Sequence, residues 1–300
     1  METAKSLFWA EKYRPPKFED IIGLDPSIPK LVKDDMPNLI FTGTKGTGKT
    51  STAYAILKKL GCDRLVLNGS DERGIDTIRN KVKEFASTLS SNGKFKIVLI
   101  DEADYLTPEA QAILRKPMED HAKNCRFILT GNFESKIIDA ISDSRCLAFR
   151  FKEIPKSEMK KLAEKILKKE NVSCNPADID KIIDFCYPDA RKMINKLQEY
   201  SVSGKLDIKK LESVTNIQKL FDDLKNGKFD EIRKNLIAQN PDYELLMKEI
   251  SRYVLDLKMD IGKKKKLVIA LANHIYMISS VFEKEAIFAG FLAKAEELLK

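Results

Sequence analysis

Gly43-Thr44-Lys45-Gly46-Thr47-Gly48-Lys49-Thr50 satisfies the spacing G-x-x-x-x-G-K-[ST]. Glycines at these positions let successive backbone N–H groups turn inward around a chain of phosphates, and the N-terminus of a following helix adds partial positive charge. Lys49 is then expected to reach the β- and γ-phosphates and Thr50 to ligate Mg2+, with Ser51 completing an ATP-binding loop. A second constellation is an apolar run, Ile97 to Ile100, that ends in Asp101-Glu102. Open α/β sheets bind ligands at the carboxyl ends of their strands. Asp101 is therefore assigned to the magnesium shell and Glu102 to polarising water. Thr130-Gly131-Asn132 ends another apolar run, where the Asn132 amide could orient the attacking water or sense the γ-phosphate, although Asn after a strand is also ordinary turn chemistry.

Two arginines stand apart from these groups. Ser142-Asp143-Ser144-Arg145-Cys146 places Arg145 just before the last strand-like run, at the edge of the domain rather than in its own pocket. That position suits either a surface salt bridge or the neutralisation of charge on a partner's nucleotide. Asp189-Ala190-Arg191 puts Arg191 in the first turn of a helix, where the macrodipole disfavours a cation, so an anionic partner is expected and nucleotide phosphates are the obvious one.

The elements that must position these residues are legible as periodicity. Short apolar runs at Leu39-Ile40-Phe41, Leu65-Val66-Leu67, Ile97 to Ile100, Phe127-Ile128-Leu129 and Leu147-Ala148-Phe149 alternate with helix-period segments such as Ala53, Ile56, Leu57 and Leu60, stopped by Gly61. Strand-helix-strand repetition implies an α/β fold with a parallel sheet covered on both faces. After Phe151 the strand pattern stops. One helix carries Met159, Leu162, Ala163, Ile166 and Leu167; a second carries Ile179, Ile182 and Ile183 and ends before Pro188; a third, capped by Asp189, carries Ala190, Met193, Ile194 and Leu197. Ser201 to Lys205 reads as a linker, and the remainder is helical by period. The expected division is 1–151 α/β, 152–203 helical and 204–300 helical.

Bulk composition narrows the class. The 300 residues are 43% hydrophobic and 33% charged with a formal charge of +8, which suits a multidomain globular chain with a moderate leaning toward phosphate-bearing partners. The five cysteines (Cys62, Cys125, Cys146, Cys174, Cys186) show neither CxxC spacing nor a histidine cluster, so they read as small buried residues in a reducing compartment. His121 and His274 read as structural, and Lys263 to Lys266 as a solvated face at a helix start, with a polyanion contact as the alternative. With no continuous apolar span, the chain is expected to be intracellular, in the cytoplasm of a prokaryote or the nucleus of a eukaryote, not secreted and without a membrane partner.

Taken together, the chain resembles the small subunits of replication factor C, clamp loaders of the AAA+ class. The likeness rests on Trp9-Ala10-Glu11-Lys12-Tyr13-Arg14-Pro15, on the phosphate loop, on Leu67 to Asp76, on Asp101-Glu102-Ala103-Asp104, on Ser144-Arg145-Cys146 and on Asp189-Ala190-Arg191, all within the first 200 residues. It implies a five-stranded AAA+ phosphate-loop domain, a small helical lid and a helical collar. It further implies an ATPase in a ring-like pentamer of large and small subunits that opens a sliding clamp and loads it onto primer-template DNA. By the same resemblance Tyr13, Arg14 and Pro15 lie near the adenine, Arg145 completes a neighbour's site, Arg191 is the lid sensor, and Arg73, Arg79, Lys83 and Arg115 track the DNA backbone. For the last four the alternative is a solvated helix face. Three departures are visible. Thr44-Lys45 replaces a pair of prolines, Lys116-Pro117 is expected to kink its helix, and Pro188 replaces a glycine.

Two rival readings remain. The letters DEAD invite an RNA helicase, which needs a second strand-rich domain that the pattern after Phe151 does not supply. A non-hydrolysing ATP-binding scaffold predicts loss of Lys49, Glu102 or Arg145, and all three are present.

Overall fold

Alternating side chains of the short apolar runs need cover on both faces, and the computed structural model provides it. Residues 8–33, 35–71, 75–91, 93–208, 217–239, 241, 243–278, 281 and 283–300 are described. Two compact units result, Met1–Leu206 and Asp207–Lys300.

In the first unit two short helices, α1 (Trp9–Lys12) and α2 (Ile28–Leu31), precede β1 (Leu39–Gly43), α3 (Lys49–Leu60), β2 (Arg64–Asn68), α4 (Ile75–Ser87), β3 (Lys96–Asp101), α5 (Pro108–Asp120), β4 (Cys125–Gly131), α6 (Asp139–Ser142) and β5 (Leu147–Phe151). The sheet order is β2-β3-β4-β1-β5, and every pairing is parallel. Ile97, Leu99 and Ile128 face a core with Phe41, Ala53 and Ile56, whereas Val98, Ile100, Phe127 and Leu129 face a second core with Ile78, Val82 and Leu114. This strict alternation is what a sheet sandwiched between helices requires. The order also creates a switch point: β1 is followed by a crossover to the far edge of the sheet, while β5 returns to its other side, so loops leave β1 and β4 in different directions and open a crevice between them.

Three helices complete this unit: α7 (Lys156–Lys169), α8 (Pro176–Cys186) and α9 (Ala190–Glu199). They bury Met159, Ile166, Ile182, Ile183, Met193 and Leu197 against one another. The N-cap expected for α9 is present, since Asp189 accepts from the Lys192 N–H at 3.0 Å. Ser201–Lys205, read as a linker, lies at the end of the first unit. Leu206 N–H donates to the Ser173 carbonyl at 2.9 Å and Ser173 N–H to that of Gly204 at 3.2 Å, so this turn is pinned to the loop between α7 and α8. Pro117, where a kink was expected, lies inside α5, which continues to Asp120. The proline stands in the closing turn with its ring buried, and its carbonyl accepts from His121 N–H at 3.1 Å. Of the cysteines, Cys174 is exposed and Cys146 half-buried; the other three are buried as read.

The second unit contains α10 (Ile217–Lys225), α11 (Phe229–Gln239), α12 (Tyr243–Asp256), α13 (Ile261–Ile278) and α14 (Lys284–Leu299). Its core is mainly aliphatic, with aromatic pairs set into it: Phe221 meets Tyr253 at 5.0 Å between ring centroids and Tyr243 meets Phe288 at 5.3 Å. His274 is structural here, its Nδ1 2.6 Å from the Ala270 carbonyl and its ring edge-on to Phe291. In the lysine run Lys264 donates to the carbonyls of Leu255 and Leu257, covering the open end of α12, and its three neighbours are exposed. No helix among the described residues is long and apolar enough to cross a membrane.

Candidate nucleotide site

The register of the sheet assembles the floor of the crevice. Thr42 of β1 stands beside Gly131 of β4, and Ile100 of β3 beside Leu129. The phosphate loop, Asp101 and Asn132 therefore leave the sheet side by side, although they are far apart in sequence. Three loop glycines hold positive φ: Gly43 at 141°, Gly46 at 77° and Gly48 at 96°. At Gly43 a Cβ would collide with the Phe151 carbonyl of neighbouring β5, so this exit is closed to any side chain.

Lys49, 7% exposed, folds back over this loop. Its ammonium donates to the carbonyls of Gly43 and Thr44, each at 2.8 Å, and to Asn132 Oδ1 at 3.1 Å. Burial pushes its pKa down, while the carboxylates of Asp104, Asp101 and Asp189 resist that shift. Thr50 Oγ1 donates to Asp101 Oδ1 at 2.9 Å, and the Thr130 hydroxyl donates to the same oxygen. Thr130 Oγ1 in turn accepts from Glu102 N–H at 3.1 Å. Glu102 itself sits at φ 56°, a left-handed conformation uncommon for a residue with a side chain and characteristic of functional turns. A hydroxyl and a carboxylate converging at one point form a hard-oxygen pair, which suits Mg2+, an ion that keeps several waters and takes the rest of its shell from phosphate.

The rim comes from the other parts of this unit. Tyr13, Arg14 and Pro15 line the same cleft as Gly46, Gly48, Lys49, Thr50 and Ser51, and so do Ala190, Arg191 and Ile194 of α9. Arg14 lies over the Tyr54 ring at 5.6 Å. The Tyr13 hydroxyl and the Lys12 ammonium both donate to Glu170, just beyond α7; burial and this carboxylate raise the Tyr13 pKa. Gly46 lies so close to Asp189 that a Cβ would meet Asp189 Oδ1, which places the loop directly against the N-cap of α9.

Several participants are invisible to motif reading. Thr130 steers Asp101 and Glu102 together. Asp104 Oδ2 accepts from the N–H groups of Asn132, at 3.1 Å, and of Phe133, at 3.3 Å, and so fixes the loop that carries the amide; its Oδ1 is buried with no hydrogen-bond partner among the described residues. Asp104 was in view only as part of the acidic run. Ile21, Ile22, Ile154 and Leu162 complete an apolar wall. Leu162 and Ile194 were legible only as a helix face, with nothing to separate core from cleft.

Other expected residues lie elsewhere. Thr44 and Lys45 are exposed at the loop's tip, whereas Thr47 is buried with its hydroxyl donating to the Thr44 carbonyl at 2.8 Å. Arg145 is not among the residues lining the cleft. Its guanidinium is paired with Glu119 of α5 and donates to the Ala140 carbonyl, with the side chain 16% exposed. It precedes β5, the edge strand. Arg79 and Lys83, four apart on α4, and Arg115 on α5 are exposed on two helices that pack together. Arg73 lies outside the described residues.

Comparison with known proteins accords with this geometry. Residues 39–153 match the family described as ATPase family associated with various cellular activities (AAA). Replication factor C small subunits from Archaeoglobus fulgidus, Picrophilus torridus and Sulfurisphaera tokodaii are 35%, 38% and 38% identical to the chain. These alignments cover 97%, 90% and 98% of the chain and 98%, 91% and 96% of the relatives. A solved structure of a RuvB variant from Thermotoga maritima superposes with a TM-score of 0.59 at 14% identity, covering 93% of this chain and 91% of that one, a likeness of fold. With a phosphate loop, a paired hydroxyl and carboxylate, and relatives matched over most of both lengths, the chain belongs to the replication factor C small subunits, AAA ATPases with a clamp-loader role in replication.

Proposed function

We propose that this chain binds and hydrolyses ATP within a ring-like clamp-loader assembly of a large subunit and further small subunits, and that hydrolysis is coupled to placing a sliding clamp on primer-template DNA inside the cell. The observation that carries the reading is that Lys49 and Thr50, which line the cleft, are hydrogen-bonded to Asn132 and Asp101 respectively.

In this reading the loop N–H groups and Lys49 hold the β- and γ-phosphates. Lys49 is already desolvated and aimed by three acceptors, so exchanging them for phosphate oxygens needs little reorganisation. Thr50 and Asp101 would hold Mg2+, which supplies charge neutralisation on the phosphates. Glu102 takes the proton of the attacking water, and Asn132, seated by Asp104, orients that water. Tyr13, Arg14 and Pro15 with the isoleucine wall receive the adenine, and Arg191 reports the γ-phosphate to the helical lid, 152–203, ahead of a collar from 204 to 300. Arg145, outside its own cleft, serves a neighbouring subunit's nucleotide. Arg79, Lys83 and Arg115 track phosphates of the DNA, and Arg73 is assigned with them on resemblance alone.

The test is the ATPase rate of the complete complex with and without cognate clamp and primed DNA. Stimulation by both together is expected; a rate indifferent to both contradicts the assignment.

A further inference from the structure

Two arginines that line the cleft share one carboxylate. Glu11 Oε1 accepts from Arg14 NH2 at 3.0 Å and from Arg191 NH2 at 3.2 Å, the second contact spanning 180 positions of sequence. Glu11 belongs to α1, which packs on α9, the helix that carries Arg191. That packing has support independent of the glutamate: Trp9 N–H donates to Gln198 Oε1 of α9 at 2.8 Å, while Tyr13 and Lys12 tie the same segment to Glu170 at the end of α7. The Glu11–Arg191 pair itself is open to water, the two side chains being 41% and 66% exposed. Pairs of this kind are weak and exchangeable, and a triphosphate offers Arg191 more negative charge than one carboxylate does.

We propose that Glu11 is the resting counter-ion of Arg191. Without nucleotide it keeps the guanidinium at the rim; on ATP binding it releases the guanidinium to the γ-phosphate. Glu11 thereby acts as a positioning residue that sets how strongly the cleft prefers ATP to ADP. Arg14 stays with Glu11 in both states, so the carboxylate is never left without a cation. The inference rests on the reading of the cleft as the ATP site.

The experiment measures dissociation constants of the full chain for a non-hydrolysable ATP analogue and for ADP, in wild type, Glu11→Gln, Arg191→Ala and the double variant. Glu11→Gln is expected to tighten the analogue by about 2–5-fold, the range set by an exposed ion pair, and to move ADP by less than about 1.5-fold. In the Arg191→Ala background the same substitution is expected to have no effect on the ratio, because the interaction it removes is already gone. Equal shifts for both nucleotides, an unchanged or reduced preference for the analogue, or an effect that persists without Arg191 would each overturn the proposal while leaving the ATP site intact. Failure of the wild-type chain to bind either nucleotide overturns the ATP site and this proposal with it. Melting temperatures of the four proteins, expected to agree closely because the pair is exposed, identify any shift that comes from unfolding.

Discussion

The floor and the rim of the cleft are built on different physics. On the floor, charged and polar groups leave adjacent strands of a rigid sheet and satisfy one another at low exposure: Lys49 against three acceptors, Asp101 between two hydroxyls, Asp104 under the Asn132 loop. On the rim, the contacts are partly exposed ion pairs: Glu11 of α1 with Arg14 and with Arg191 of α9, and Lys12 of α1 with Glu170 at the end of α7. Groups that must meet developing charge in a fixed geometry gain from preorganisation in a dry site, because they need not reorganise as the reaction proceeds. Groups that must change partner when nucleotide arrives gain from weak, solvated contacts that cost little to break. The same unit thus holds a fixed half and an exchangeable half around one ligand.

The comparison is broken most severely on the floor. Glu102→Gln is expected to lower the single-turnover hydrolysis rate by about 10²–10⁴-fold, the usual scale of general base catalysis, with ATP affinity changed less than about 2-fold. Lys49→Ala is expected to lower kcat/KM by about 10²-fold or more and to weaken binding as well, since its ammonium meets the phosphates in both ground and transition states. A Glu102 variant that lost binding and rate together would show that the two residues do not divide the labour in this way.

Gly46→Ala attacks the junction between floor and rim. Positive φ and the collision with Asp189 Oδ1 together predict a loss of about 1–3 kcal/mol in unfolding free energy, read by denaturant titration, with the loop and α9 forced apart. An unchanged midpoint would mean that α9 shifts freely and that the loop and the cap are not a single packed unit.

The smallest effect concerns protons. Burial holds the Lys49 pKa below its ordinary value in the free chain, and bound phosphates favour the charged form, so the bound pKa lies above the free one. ATP affinity is then full below the free-state pKa and declines as pH rises from there toward the bound-state value. Binding at alkaline pH should therefore take up protons. Calorimetry in two buffers of different ionisation enthalpy detects this uptake, and Lys49→Ala should abolish it.

How much of this could be read in advance follows the same division. The loop from Gly43 to Thr50 is local: one run of residues contains the glycines, the cation and the hydroxyl, and its chemistry constrains neighbouring positions together. Asp101-Glu102 was legible because a strand end exposes carboxylates at a known edge. Thr130 was not, because its contact with Asp101 depends on β4 lying beside β3, a matter of strand order that periodicity does not encode. The pairs Glu11–Arg191 and Tyr13–Glu170 join the start of the chain to α9 and to the end of α7, across 180 and 157 positions. Arg191 and Tyr13 were expected at the nucleotide, but Glu11 and Glu170 each read as an ordinary surface charge, and only the packing of the N-terminal segment on α9 and on the end of α7 makes the pairs. Pro117 teaches the complementary lesson. A proline expected to bend its helix is carried inside the last turn of α5 with its side chain buried, a local cost that the surrounding packing offsets and that the sequence alone does not show.

Arg145 belongs to neither half, since it is held by Glu119 outside its own cleft. In the proposed mechanism the reaction is divided between a floor within one chain and this arginine given to the next. The direct test is ATPase activity of assemblies reconstituted from Lys49→Ala chains mixed with Arg145→Ala chains, with subunit exchange demonstrated. Each variant alone is expected to be inactive, and the mixture to recover part of the wild-type rate, because some interfaces then pair an intact floor with an intact arginine. No recovery in the exchanged mixture would place Arg145 in the service of its own nucleotide and contradict the division.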